Sequence, residues 1–162
     1  MLKKGIEDAL NKQVNRELFS SILYLSMAAY FEAENLRGFA HWMKVQAEEE
    51  KNHAMKIYDF IVEAGGRARF AAIEAPKGEW KSPLEVFEHA YEHEKKVTGM
   101  IHDIVTLAVK EKDYATQNML QWFVKEQVEE EAQTFEIKEK IVLVGKTTPL
   151  LLMIDHALGK RE

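Results

Sequence analysis

Along most of the chain apolar residues return every three or four positions, the spacing of one face of an α-helix. The first such stripe is Leu10, Val14, Glu17, Ser21, Tyr24 and Ala28, and the second is Phe39, Met43, Gln46, Glu50, His53, Ile57, Phe60 and Ala64. A third runs Phe87, Tyr91, Glu94, Val97, Ile101 and Ile104, and a fourth Leu120, Phe123, Gln127, Glu130, Thr134, Ile137 and Ile141. No alternation of period two bounded by turn residues marks a strand. Breakers punctuate the stripes: the stretch from Gly65 to Pro83 holds Gly65, Gly66, Pro76, Gly78 and Pro83, and Gly38, Gly145 and Gly159 stand at other boundaries. The pattern predicts four long helices near 6–36, 38–64, 83–111 and 113–144, each about 40–45 Å long, and a short one near 149–158.

These elements make an all-α fold, a four-helix bundle in one domain spanning 1–162. Ser82-Pro83-Leu84-Glu85 supplies an N-cap serine, a proline at the first helical position and a glutamate three residues after the cap, a capping box that starts the third helix. Asp113 is placed to cap the fourth. Tight turns join helices one and two, and three and four, so each pair is antiparallel. The long loop between helices two and three can run the length of the bundle as a crossover. The last helix, Pro149 to Leu158, is apolar nearly all round, which predicts burial against other copies of the chain.

Every one of the four long seams is interrupted by acid near its middle. One such glutamate has a bland explanation in a side chain reaching out to water. Four at matching heights converge, because the midpoints of bundled helices coincide in space: Glu17, Glu50, Glu94 and Glu130 would meet. Buried together without counter-charge they would cost many kcal/mol or take up protons. Two divalent cations would balance them. Glu50-Lys51-Asn52-His53 sharpens the metal reading, since residues three apart leave the same helix face and can bind together. The fourth helix offers Gln127-Val128-Glu129-Glu130 instead of a second Glu-x-x-His, so one metal position is poorer in ligands and should bind more weakly.

Composition narrows the ligand chemistry. With no cysteine among 162 residues, disulfides, iron–sulfur clusters and thiol nucleophiles are excluded, leaving oxygen and imidazole as donors. A net charge of -5 argues against nucleic acid or anionic membrane as partners. The first residues turn acidic at Glu7-Asp8 where a signal peptide would need an apolar stretch, so a cytoplasmic location is expected.

On these residues the chain resembles the bacterial non-haem ferritins over essentially its whole length. The matching stretches are Asn15-Arg16-Glu17-Leu18 with Tyr24, Glu48 to His53, His93-Glu94 and, most specifically, Leu120 to Glu131. A Glu from each of two helices with Glu-x-x-His from each of the other two is the ligand pattern of ferritin-like di-iron proteins; Glu17, Glu94 and Glu50/His53 follow it, and the fourth helix departs from it with Gln127 and Glu130. The resemblance implies that Glu17, Glu50 and His53 hold one iron, that Glu94 and Glu130 hold a second bridged by Glu50, and that Gln127 stands by to hydrogen-bond oxygen species. Tyr24 would touch the site as a hydrogen-bond or electron donor. A third iron site at Glu49, Glu126, Glu129 and Glu130 is also implied. So is a hollow homo-oligomer of 24 subunits that oxidises Fe(II) with O2 or H2O2 and stores Fe(III) as a hydrated oxide.

Hard oxygen ligands favour ferric over ferrous iron, which is the property a ferroxidase needs. Haem is not expected, because Asn52 stands where a bacterioferritin would carry its haem-binding Met. Two other readings compete: a di-iron peroxidase or oxidase without mineral storage, and a metal-free structural helical assembly. His41, His89, His93, His102 and His156 read as surface or helix-end residues, and Trp42, Trp80 and Trp122 as packing. Trp122 is also a candidate electron donor. Arg67 and Arg69 read as loop charge.

Overall fold

The computed structural model describes residues 1–162. Five helices form: α1 (Lys4–Ala33), α2 (Arg37–Glu63), α3 (Pro83–Glu111), α4 (Tyr114–Val144) and α5 (Thr148–Leu158). No helix is long and apolar enough to cross a membrane.

The helix ends follow from local chemistry. α1 stops short of the expected residue 36 because Asn35 takes a left-handed conformation (φ 59°), which asparagine tolerates better than most side chains. Asn35 N–H then bonds Glu32 O at 3.1 Å and Leu36 N–H bonds Phe31 O at 2.9 Å, closing off orphan carbonyls. Gly65 (φ 78°) ends α2 by the same pair of bonds, as does Lys112 (φ 53°) for α3. At the other ends, Ser82 Oγ accepts from Glu85 N–H at 3.2 Å and Asp113 Oδ1 from Thr116 N–H at 3.0 Å, as expected from their sequence. The Glu85 carboxylate reaches back to Lys81 N–H rather than to Ser82 itself.

Cross-bundle contacts give the topology. Leu2 N–H bonds Ala64 O and Ser21 Oγ bonds Ala47 O, so α1 and α2 are antiparallel. Lys3 meets Glu111 while Ser20 meets His93, so α1 and α3 are antiparallel too. The end of α2 and the start of α3 therefore lie at opposite ends of the bundle, and residues 65–82 must travel its length. They do so along α1. Asn11 binds Arg67 O and Arg69 N–H, Asn15 binds Ala72 O, Arg16 pairs with Glu74, Ser26 binds Lys77 O, and Trp80 packs on Tyr30. Polar side chains of one helix thus satisfy the backbone of a loop that has no ladder of its own.

The apolar interior falls into two halves. One contains Leu23, Tyr24, Met27, Phe31, Phe39, Met43, Phe87 and Ile141, the other Ile6, Leu10, Val14, Ile57, Ile61, Ile101, Leu120 and Phe123. Between them lies the polar layer of Gln13, Glu17, Ser20, Gln46, Glu50, His53, Glu94, Gln127, Glu130 and Thr134, all buried. The α1 seam is broader than one stripe: Gln13, Ser20, Leu23 and Met27 are buried as well, and Ser21 only partly.

α5 lies across the start of α2 and packs Leu151, Ile154 and Leu158 against the first core half, while Leu150, Leu152 and Met153 face outward. Its approach is in backbone contact: a Cβ on Gly38 would sit 1.6 Å from Asp155 O. Asp155 Oδ1 also accepts from Phe39 N–H at 2.9 Å, capping α2, whose own N-cap residue Leu36 has no side-chain acceptor. Gly38→Ala should therefore undock α5. The expected result is a stability loss of about 1–3 kcal/mol and rapid proteolysis between Gly145 and Thr148, read by thermal unfolding and limited digestion. Parental resistance in the variant would mean that α5 is not seated on Gly38.

Candidate metal centre

Each long helix delivers one acid to the polar layer, at the point where its apolar seam is interrupted. Glu17, Glu50 and Glu94 are each 1% exposed, Glu130 2% and His53 5%. Donor atoms of Glu17, Glu50 and His53 lie within 4.8 Å of one another, and so do those of Glu50, Glu94 and Glu130. Glu50 belongs to both groups, so two adjacent three-donor positions share one carboxylate. A further group, His53, Glu126 and Glu130, adds the half-buried Glu126.

Neutral side chains hold this cluster. Gln13 Nε2 donates to Glu17 Oε1 at 2.7 Å, and Gln46 Nε2 to Glu50 Oε1 at 3.0 Å and Glu130 Oε2 at 2.6 Å. Gln127 Nε2 donates to Glu94 Oε2 at 3.2 Å, and Tyr24 donates its phenol proton to Glu94 Oε1. His53 Nδ1 is 3.4 Å from Glu50 Oε2, and the ring is walled by the edges of Trp122 and Phe123 at 5.4 and 6.0 Å. No lysine or arginine pairs with any of the four acids. Glu17 Oε2 is buried with no hydrogen-bond partner.

Protonation follows from that environment. Burial pushes Glu17 well above the usual carboxylate range, with the Glu50 charge adding to it. Burial, then the Glu94 and Glu130 charges, does the same to Glu50. Glu130 is pushed up to about 8, again by burial first and Glu94 second. Glu94 is raised by burial against the opposing hydrogen bonds from Tyr24 and Gln127. Burial and the same carboxylates hold the Tyr24 phenol well above its ordinary value. Such a set binds protons or cations, and nothing in the fold supplies the cations.

The remaining residues singled out from sequence fall differently. Glu49 and Glu129 belong to no group of three donors: Glu49 is paired with Arg161 at 2.6 Å, and exposed Glu129 lies 4.0 Å from Lys125. Trp122 is 39% exposed, with the Lys56 ammonium 4.5 Å from its ring centre. Sequence reasoning missed Gln13, one helical turn before Glu17, and the pair Ser20–His93. His93 Nε2 lies 2.8 Å from Ser20 Oγ, and its ring meets the Tyr24 ring edge-on at 6.2 Å. The Ser20 hydroxyl also lies within hydrogen-bond distance of Arg16 O, at 3.1 Å. Burial lowers the His93 pKa to about 4, which keeps this ring neutral.

Known proteins share this architecture and much of the sequence. The ferritin-like domain family matches residues 7–144. A bacterial non-heme ferritin of Bacteroides fragilis is 45% identical over 161 residues, covering 99% of this chain and 100% of the relative. One from Staphylococcus aureus is 39% identical, covering 99% and 97%. Among solved structures, an open pore ferritin from the hyperthermophilic archaeon Archaeoglobus fulgidus superposes with a TM-score of 0.99 at 51% identity, covering 100% of both chains. With the fold, the family match and a sequence similarity that spans nearly the full length in agreement, the chain belongs to the ferritin family.

Proposed function

We propose that the chain is a ferroxidase and iron-storage subunit: it oxidises Fe(II) at the two positions that share Glu50 and delivers Fe(III) to a mineral inside a homo-oligomeric shell of 24 subunits. The observation that carries this reading is the burial of four carboxylates from four helices with no lysine or arginine beside them. Two ferrous ions bring four positive charges against four negative ones. The donor set fits them, being carboxylate oxygen with one imidazole and no sulfur.

Glu17, Glu50 and His53 would hold one iron, and Glu50, Glu94 and Glu130 the other. Each iron surrenders one electron, so the pair supplies the two that reduce O2 to hydrogen peroxide, or hydrogen peroxide to water, with two protons taken up in either case. Carboxylates stabilise the ferric product more than the ferrous substrate, which lowers the cost of electron loss. Gln127 and Tyr24 fix the Glu94 carboxylate from two sides, orienting it toward the shared position. Gln46 bridges Glu50 to Glu130 and so sets the spacing of the second position. That position has oxygen donors only, whereas the first has His53, so the second iron should be held less tightly and released sooner. Glu126, grouped with His53 and Glu130, is half-buried, and Glu129, next to Glu130 in the sequence, is exposed.

Storage rather than turnover alone is favoured by α5, whose outward face of Leu150, Leu152 and Met153 calls for cover by other copies. Fe(II) added in air to the apo-protein, followed by ferric absorbance and by size, tests the proposal. The expected result is rapid oxidation and iron far beyond the two positions per chain, eluting with a large particle. Oxidation that halts once those two positions are filled, on a small oligomer, would point to a di-iron peroxidase or oxidase instead. No oxidation would return the chain to a structural role.

A further inference from the structure

Four acidic or imidazole side chains form two pairs with helical spacing i,i+4: Glu49 and His53 on α2, and Glu126 and Glu130 on α4. Residues four apart share a helix face, and the two faces meet, because His53, Glu126 and Glu130 already lie within 4.8 Å of one another. Glu49, one helical turn before His53, shares that face of α2. Its carboxylate is nonetheless engaged elsewhere, by the chain's penultimate residue.

Arg161 is built into that position from several sides. Its Nη2 donates to Glu49 Oε2 at 2.6 Å and its Nη1 to Trp42 O at 3.3 Å. The guanidinium stacks over the Trp42 ring at 4.4 Å, and the side chain is only 15% exposed. Its own carbonyl is 2.6 Å from His41 Nε2, and the tail behind it is anchored where Asp155 caps α2. The contacts at residues 38–39, 41–42 and 49 follow one side of α2, so the tail and α5 act as a strap along that helix. The cation–π contact on the buried Trp42 ring reinforces the ion pair and fixes the orientation of the guanidinium.

We infer that Arg161 is a tethered cation that occupies Glu49, so that Glu126 and Glu130 lack the further carboxylate a third ion would need once His53 serves the first position, and each chain holds two metal ions rather than three. Arg161 thereby sets metal stoichiometry without touching either of the two positions that share Glu50. Rearrangement of the C-terminal strap would free Glu49 and open the third position. This inference rests on the metal-binding reading of the cluster.

Zinc(II) is a suitable probe, since it accepts the same oxygen and imidazole donors and has no redox chemistry. Calorimetric titration of the full-length apo-protein should count two zinc ions per chain, matching the two groups that share Glu50. Arg161→Gln and Arg161→Ala should each show an additional zinc, and adding Glu49→Gln to either should remove it. Arg161 lies beyond the last helix, and circular dichroism with particle sizing checks that both variants keep helix content and assembly. Identical titrations for the parent and both Arg161 variants would overturn the inference, as would an extra zinc that survives Glu49→Gln. Failure of the underlying reading looks different: the parent's own zinc count would then be insensitive to Glu50→Gln.

Discussion

Glu50→Gln is expected to slow Fe(II) oxidation by at least about a hundredfold while making the apo-protein melt several degrees higher. The two effects have one cause. Glu50 is the only residue common to the Glu17–Glu50–His53 and Glu50–Glu94–Glu130 groups, so its substitution damages both positions at once. Loss of groups that merely orient metal ligands already costs about 10–100-fold in affinity or activity, and a shared ligand should cost no less. In the metal-free state the same carboxylate is a liability, buried with the Glu94 and Glu130 charges beside it and its pKa raised well above the ordinary value. Glutamine keeps its volume and can still accept the Gln46 bond at the position of Oε1. For a chain of this size each kcal/mol relieved raises the melting temperature by roughly 2–4 °C. Stopped-flow oxidation and calorimetric unfolding of the apo form measure the two sides. A variant that oxidises iron at the parental rate would remove Glu50 from the site. One that melts lower would mean that the acids are not in conflict when metal is absent.

That trade between metal binding and apo stability explains why the site could be read from sequence. Glu17, Glu50, Glu94 and Glu130 each break an apolar seam, and no packing argument accounts for four such breaks at one height. Helix starts at Ser82 and Asp113 were equally legible, because capping acts within three residues. Contacts made across the fold were not. Arg161 and Glu49 are 112 positions apart, and Asp155 and Phe39 116, with nothing local to mark either pair. Asn11, Asn15 and Ser26 read as ordinary polar residues of α1, yet they hold the backbone of the crossover loop. His93 read as a surface residue because its neighbour Glu94 faces the site. α1 buries sides toward α2, α3 and the loop, which leaves room for an inward-facing Ser20 and His93 beside the main stripe.

The same acids should give the apo-protein a stability that falls as pH rises between about 6.5 and 8. Two kinds of buried group act in opposite senses. Glu130 has its pKa raised from 4.5 to about 8, so the folded chain retains a proton that the unfolded chain has already lost. Its contribution is fully present below pH 4.5 and disappears as pH climbs through about 8. Glu17, Glu50 and Glu94 are shifted in the same direction and titrate with it as a set. His93, lowered from 6.5 to about 4, works the other way: its contribution is present above pH 6.5 and is lost as pH falls toward 4. The two effects oppose each other below pH 6.5, and above it only the carboxylates remain. Each proton retained by the folded state steepens the decline by up to about 1.4 kcal/mol per pH unit. Denaturant unfolding of the apo-protein at intervals across this window should show the decline, and Glu130→Gln should flatten it. Saturating zinc should reverse the trend, because cations replace the protons and bind more tightly as competition from protons fades; at a hundred times Kd they add about 2.7 kcal/mol. An apo-protein equally stable at pH 6.5 and 8, or one unaffected by Glu130→Gln, would show that the four carboxylates are not held protonated in the absence of metal.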